Sequence, residues 1–592
     1  MYSDEKNVQV VLALLKKAGI SKVVISPGSA NAPFSRSVQA DGFFEAYSAV
    51  DERSAAHMAC GLSSTTREPV VISCTGATAS RNYAPALTEA YYRKLPLVAV
   101  MSMNDASDIG NLTTQVIDRS VAPNDVFKSH VRIDHFDGCG KEWATACLEV
   151  NRVLAATSRD GGGPVGIEIT QRGRQTFGTE RLPDVPYVSV HEVGDADMPA
   201  ISEDSKVLVI LGAQDPYTAD ETLALERFLL THDAIALSCA ASGYHGELSL
   251  AGALSCSQLP GNPEEVGFAP DLLIHVGEMT GDYDANLFIN RLDCPVWRVS
   301  PDGALRKTFS RLDEVFAMEP SRFFSIYSDG IAAKESGYRE RWMAYDSQLR
   351  TECPELPFSN AWIAKELSPL LPTPSLLHAA ILSSMQAWDF FPAPEGVETS
   401  ANVGGFGIDG CTSTLLGASL AHPDEPCFIV TGDLAFFYDM NALGNRHVGP
   451  NLRILLVNNN KGMTFKHSNH YAHRFGGEAD EFIAGGGHFI NRFEEPRKGV
   501  SPAGAWALSL GFRYLSARSK EEFGEVSREF VSSDCPSPIL LECFTSEEDE
   551  REARDAVMSI DGRKTLKADL KKRAMGVLGE KGVKAAKKIL GR

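Results

Sequence analysis

The sequence predicts an α/β protein of three consecutive domains, each a parallel sheet covered by helices, and three observations predict it. Its strand-length apolar runs are continuous rather than alternating, as strands buried on both faces must be. Helical patterns separate those runs. The chain, at 592 residues, is long enough for three or four domains of ordinary size.

The first domain, residues 1–180, opens with an apolar-periodic helix from Val8 to Lys17 and the strand Lys22-Val-Val-Ile-Ser26, which ends in Pro-Gly. Two further apolar strands follow at Val70–Cys74 and Pro96–Met101, each after a helical segment. From Arg174 to Asp204 the chain turns polar and proline-bearing, which reads as a connection. A central domain, 200–350, carries strand candidates at Val207–Leu211, Ala234–Ser238, Asp271–Val276 and Val296–Val299. A third, 358–548, carries Cys427–Thr431 and Arg453–Asn458.

Residues 549–592 read as a basic C-terminal tail without aromatics: a solvated helix or disordered end, or an amphipathic segment touching a membrane or partner. Its apolar stripe would be Leu566, Leu570, Leu578, Ile589 and Leu590, interrupted by glycines.

With 43% apolar and 23% charged residues the composition is globular. A formal charge of −20 argues against a nucleic-acid partner, since binding a phosphate backbone needs surplus Lys and Arg. The start carries two acids and no apolar core, and no stretch approaches a membrane span. Twelve cysteines without a Cys-x-x-Cys pair read as free thiols, so the expectation is a cytoplasmic protein.

The strongest local signal is Gly432-Asp433-Leu434 at the end of a buried strand, with Asn460 closing Asn458-Asn459-Asn460 27 positions on, at the end of the next. Carboxyl ends of adjacent parallel strands are where open α/β sheets bind ligands. Mg²⁺ wants six oxygens, and Asp433 with the Asn460 amide supplies part of that set. Helix N-termini after the strands would offer amides to a diphosphate. A plain strand-end turn with an Asp cap is the competing reading.

These residues resemble the thiamine-diphosphate motif. Gly407-Ile-Asp-Gly410, the run Gly432 to Leu443 and Val457-Asn-Asn-Asn460 narrow the resemblance to the 2-succinyl-5-enolpyruvyl-6-hydroxy-3-cyclohexene-1-carboxylate synthase family of the menaquinone pathway. So do Ser26-Pro-Gly-Ser29, Asp51-Glu-Arg-Ser-Ala-Ala56 and Asn82 through Ala90, in family order. The resemblance implies thiamine diphosphate and Mg²⁺ as cofactors, with the first and third domains binding them. It makes Glu52 the cofactor-activating carboxylate, where a helix-first-turn acid is the plainer alternative. Ser29, Ser384, Gly407, Ile408, Gly432, Asp433, Leu434, Asn460 and Met463 would hold the cofactor, Ile408 as its apolar wedge. Asp433, Asn460 and the Gly462 carbonyl would hold the metal, and Gln115 would face the substrate. A homodimer or homotetramer with sites at the subunit interface follows from the same resemblance.

The departures bear on the substrate. Four positions where the family places carboxylate-binding arginines fall on Ala30, Asn104, Trp388 and Val403, Trp388 offering a flat apolar wall instead. Substitute cations would be Arg81 and, past Phe465, Lys466, His467, His470, His473 and Arg474, with His467 first among the catalytic candidates. The His spacing is not that of a helical zinc site, so the run reads as a polar loop or a lid of proton donors.

The expected activity is decarboxylation of a 2-oxoacid and transfer of the acyl carbanion to an acceptor other than isochorismate. The alternatives are a simple decarboxylase, the family's own synthase reaction, and an inactive binding protein. No Gly-x-Gly-x-x-Gly follows an early strand, which disfavours a dinucleotide enzyme.

Overall fold

The computed structural model describes residues 1–119, 121–171, 176–244, 246–259, 267–335, 337–468, 470–490 and 500–561. Two compact units divide the chain. Met1–Asp195, Asp302–Lys307 and Leu312–Ala317 form the first, and the remainder forms the second.

In the first unit β1 (Lys22–Ile25), β2 (Glu45–Ser48), β3 (Val70–Thr75), β4 (Leu97–Met103), β5 (Ser129–Ile133) and β6 (Val165–Thr170) make one parallel sheet in the order β2-β1-β3-β4-β6-β5. Val71, Val98 and Val100 enter one core while Val70, Ile72, Ala99 and Met101 enter the other. Successive residues of a strand point to opposite faces, so burial of both explains the unbroken apolar runs. A short strand, β7 (Ser189–His191), lies within the stretch expected to be only a connection.

The second unit holds β8 (Lys206–Leu211), β9 (Asp233–Ser238), β10 (Ser249–Ala251), β11 (Leu272–Val276) and β12 (Val296–Val299), paired in parallel in the order β10-β9-β8-β11-β12. β13 (Glu314–Phe316) belongs to the first unit and pairs in parallel with β7. The third sheet has β14 (Ser375–Ala379), β15 (Val397–Ser400), β16 (Cys427–Gly432), β17 (Leu452–Asn458), β18 (Arg513–Ala517) and β19 (Ile539–Phe544) in the order β15-β14-β16-β17-β19-β18. Its two faces feed two cores, Phe428, Val430 and Leu455 on one and Ile429, Ile454 and Leu456 on the other. Three parallel α/β sheets are thus the architecture.

The packed body runs past the expected 548 boundary. Glu547–Val557 is a helix capped by Ser546, with Ala553 and Val557 buried. The proposed stripe from Leu566 to Leu590 lies outside the described residues. Among the described residues no helix is long and apolar enough to cross a membrane, and all twelve cysteines are free thiols.

Candidate functional site

Two clefts gather the chemistry-bearing residues, one in each unit, both at the carboxyl ends of parallel strands. In the second unit the ends of β14, β16 and β17 come together. Pairing of β16 with β17 sets Gly432 beside Val457. The chain leaves β16 straight into the helix Asp433–Tyr438, which puts the Asp433 carboxyl at the cleft wall. Ser384, Ile408, Gly432, Leu434, Gly462, Met463 and Phe465 line the same cleft, whose open volume is about 630 Å³.

Asp433 is 6% exposed. Burial pushes its carboxyl up to about 7, against the backbone N–H groups of Leu434 and Asn460 that favour the anion. A carboxylate so short of solvation is a ready ligand for a divalent cation.

The three asparagines have separate positions. Asn458 Nδ2 donates to the buried Glu542 at 2.7 Å, fixing the strand end. Asn459 lines the cleft, and its buried Oδ1 accepts no hydrogen bond. Asn460 sits at φ +62°, a conformation Asn tolerates better than most residues; it is exposed, and its backbone N–H reaches the Asp433 carboxyl. Asn459 and Asn460 thus both stand in the turn after β17, and the buried amide oxygen left without a hydrogen bond is that of Asn459. Orphaned amide oxygen, desolvated carboxylate and the Gly462 backbone are all oxygen donors, and such a set suits Mg²⁺. Gly407 is half-buried and stands outside the lining, next to Ile408.

Several candidates turn away from this cleft. Trp388 and Val403 lie in the hydrophobic core at 3% exposure each, so the Trp388 ring packs internally rather than forming a substrate wall. Lys466 is buried and committed: its Nζ donates to Asp480 Oδ1 at 2.5 Å and the Gly476 carbonyl at 2.7 Å, with Glu547 3.4 Å away. His467 is buried off the cleft lining, and burial together with Arg554 and His470 pulls its imidazole down to about 3, which keeps it neutral. It is neither a cation nor a ready proton donor at neutral pH. His473 Nδ1 is 2.9 Å from the Lys466 carbonyl, and Arg474 stacks on Phe475.

The first unit's cleft, about 390 Å³, is built from the ends of β1, β3 and β4 and from β5. Buried Asn31 pins the turn after β1: Nδ2 donates to the Ser26 carbonyl, while Oδ1 accepts from Ser73 and Ser102. Gly28 permits the close approach, since a Cβ there would lie 2.2 Å from Thr75 Cγ2. The result places Ala30, Asn104 and Gln115, all chosen from the sequence, around one cavity. Ser29 lies exposed in the same turn.

Arg132, which sequence reasoning missed, joins them. It projects from β5, donates from Nη2 to the Asn104 carbonyl at 2.9 Å, and bonds Asp134 through Nε at 3.1 Å. A guanidinium from a different strand thus reaches the end of β4 at Asn104. Periodicity had no means of announcing it, because the link runs across β6. Arg81 is exposed, bonded to the Asp118 carbonyl and not part of the cleft.

Glu52 opens the helix Glu52–Thr66 behind the N-cap Asp51, whose carboxyl accepts from the Ser54 N–H at 3.0 Å. It is half-buried; burial chiefly raises the Cys74 thiol and the Tyr83 phenol nearby, and the Glu52 charge adds a smaller push to each. Residues 6–122 match the family model described as thiamine pyrophosphate enzyme, N-terminal TPP binding domain. The chain is 30% identical over 570 residues to the 2-succinyl-5-enolpyruvyl-6-hydroxy-3-cyclohexene-1-carboxylate synthase of Phocaeicola vulgatus, covering 93% of this chain and 97% of that one. The synthase of the same name from Bacteroides thetaiotaomicron is 30% identical over 571 residues, covering 92% and 97%. That of Porphyromonas gingivalis is 28% identical over 579 residues, covering 92% and 95%.

Proposed function

We propose, since the chain belongs to the 2-succinyl-5-enolpyruvyl-6-hydroxy-3-cyclohexene-1-carboxylate synthase family of thiamine-diphosphate enzymes, that it decarboxylates a 2-oxoacid and passes the acyl carbanion to an acceptor. The observation that carries the reading is the second unit's cleft, where a desolvated Asp433 faces a cavity shared with the unpartnered Asn459 Oδ1, Gly462 and Ser384. When bound, thiamine diphosphate supplies the carbanion chemistry next to the carbonyl. Asp433, the asparagine amides and the Gly462 carbonyl would hold Mg²⁺ beside the diphosphate, and Ile408 would support the cofactor's bent shape. Glu52 would exchange a proton with the aminopyrimidine ring through its carboxylate oxygens. Arg132 and Gln115 would take one substrate carboxylate, the guanidinium by paired N–H donors. The active form in this reading is a homodimer or homotetramer.

Carbon dioxide release from a panel of 2-oxoacids, with and without acceptor, tests the proposal. Acceptor-dependent carbon–carbon products are expected, and release without any such product leaves a simple decarboxylase. One observation favours a second reading, the family's own reaction: Arg132 brings a cation to the Asn104 carbonyl. Turnover of isochorismate with 2-oxoglutarate at about 1 s⁻¹ or faster would establish it, and no turnover would leave the acceptor as a different compound.

A further inference from the structure

The cleft of the second unit contains an acid to which the proposed chemistry gives no task. Glu550 lies in the helix Glu547–Val557, is 8% exposed, and lines the cleft. Its Oε1 accepts from the Asn360 N–H at 3.0 Å and from the Thr545 hydroxyl at 2.7 Å. Thr545 is itself anchored, its N–H donating to the carbonyl of Asn458 at the end of β17.

From Asn360 the connection continues. Its Nδ2 donates to the Ser383 carbonyl at 3.2 Å, and the Ser383 and Thr464 hydroxyls are 2.9 Å apart. Five side chains thus link the helix Glu547–Val557, the helix Asn360–Leu367, the helix Ser383–Phe390 and the turn Met463–Lys466 around one cleft. Part of that wall is strained. Leu382, directly before Ser383, sits at φ +66° and ψ −126°, a conformation in which a leucine persists only when its surroundings hold it. The Asn360 bond to the very next carbonyl is such a hold, and Leu382, Ser383 and Ser384 all face the cavity.

We infer that Glu550 is a positioning residue of this cleft, acting through Asn360 to keep the strained Leu382–Ser383 turn in the shape that presents Ser384 to a diphosphate. The inference rests on the reading of the cleft as the thiamine-diphosphate site. Glu550 itself makes no bond to the cofactor in this account; its two accepted hydrogen bonds carry the effect.

Titration calorimetry of thiamine diphosphate with Mg²⁺ tests it on the full chain, with thermal melting as the check of folding. Glu550→Leu leaves two buried donors without an acceptor and is expected to weaken cofactor binding about 10-fold or more. Glu550→Gln keeps an oxygen at the same place and is expected to bind within about 3-fold of wild type. Asn360→Ala, which leaves Glu550 and its helix intact, is expected to weaken binding like Glu550→Leu. At saturating cofactor the variants should recover most of kcat, since only presentation of the site is impaired. Unchanged affinity in both Glu550→Leu and Asn360→Ala overturns the inference, as does a loss in Glu550→Gln equal to that in Glu550→Leu. If Glu550→Leu fails to fold, Asn360→Ala with Glu550→Gln decides alone. A wild-type chain that binds no thiamine diphosphate overturns the function reading instead, which keeps the two failures distinct.

Discussion

Single side chains decide what each cleft can hold. Glu52 stands at a helix start, where the N-terminal dipole favours a carboxylate. If it handles the cofactor's proton, Glu52→Gln should retain cofactor affinity and lower kcat by about 10²-fold or more, a loss that steady-state assay reads directly. An unaltered rate would remove it from the chemistry. Arg132 makes a different kind of claim. A charge-assisted contact contributes about 1.5–3 kcal/mol, so Arg132→Ala should raise KM for the carboxylated substrate about 10-fold to 10²-fold while sparing kcat. Arg81→Ala, changing an exposed residue outside the cleft, should leave KM near its original value. Equal effects of the two substitutions would argue against the recognition role of Arg132.

At the scale of elements, the turn that follows β17 and the helix Glu547–Val557 stabilise one another. Lys461 bonds Asp480 and Glu547 at 2.7 and 2.8 Å, and Lys466 reaches the same two acids. Lys466 is buried while both acids are about one-third exposed, so solvent weakens the attraction without abolishing it. Lys466→Met should therefore lower stability by about 2 kcal/mol and shift Tm down by several degrees, while KM at saturating cofactor changes little. A raised KM with an unchanged Tm would instead return Lys466 to the substrate. The helix Glu547–Val557 also bonds Asp284 through Arg554 at 3.4 Å and Ser468 through Asp555 at 2.7 Å. Its part in shaping the cleft comes from these several attachments, each too local to appear as a sequence motif.

For the whole molecule, pH and metal are the accessible controls. Asp282 and Asp389 are buried in the second unit, each with one carboxyl oxygen that accepts no hydrogen bond. Burial, and for Asp282 the charge of Asp389, raises both above the ordinary carboxylate range. The folded chain then keeps protons that the unfolded chain releases near pH 4. The stability so gained is complete below that pH and is lost as pH rises through the folded-state values. Thermal melts should show Tm falling across this interval. Asp389→Asn should flatten the slope and stabilise the chain at pH 8 by at least about 1.4 kcal/mol, the worth of one pKa unit. A profile with unaltered slope would dismiss the pair as its origin. If the proposed metal site is right, cofactor binding should also require a divalent cation, because Asp433 would reach a diphosphate only through the metal. Calorimetry with a chelator present is the check, and equal affinity with and without Mg²⁺ would refute the metal assignment.

Residue order alone determined the three parallel sheets, because continuous apolar strands such as Val70–Thr75 are buried on both faces and that need is written locally. It also brought Asp433 and the three asparagines to the ends of adjacent strands. Short pairings such as β7 with β13 were hidden, joining segments over a hundred residues apart with only three residues each. Tertiary structure alone decided which polar groups face a cavity. It put Lys466, His467, Trp388 and Val403 into buried surroundings, although their spacing from the motifs suggested contact with substrate. It left the Asn459 amide oxygen buried without a hydrogen bond and held Asn460 in a left-handed backbone beside Asp433. It also supplied Arg132 and Glu550 from remote strands and helices. The physical reason is common to all of these: local periodicity sets the face a residue shares with its neighbours along the chain, whereas the groups that meet across a sheet edge are chosen by packing between elements.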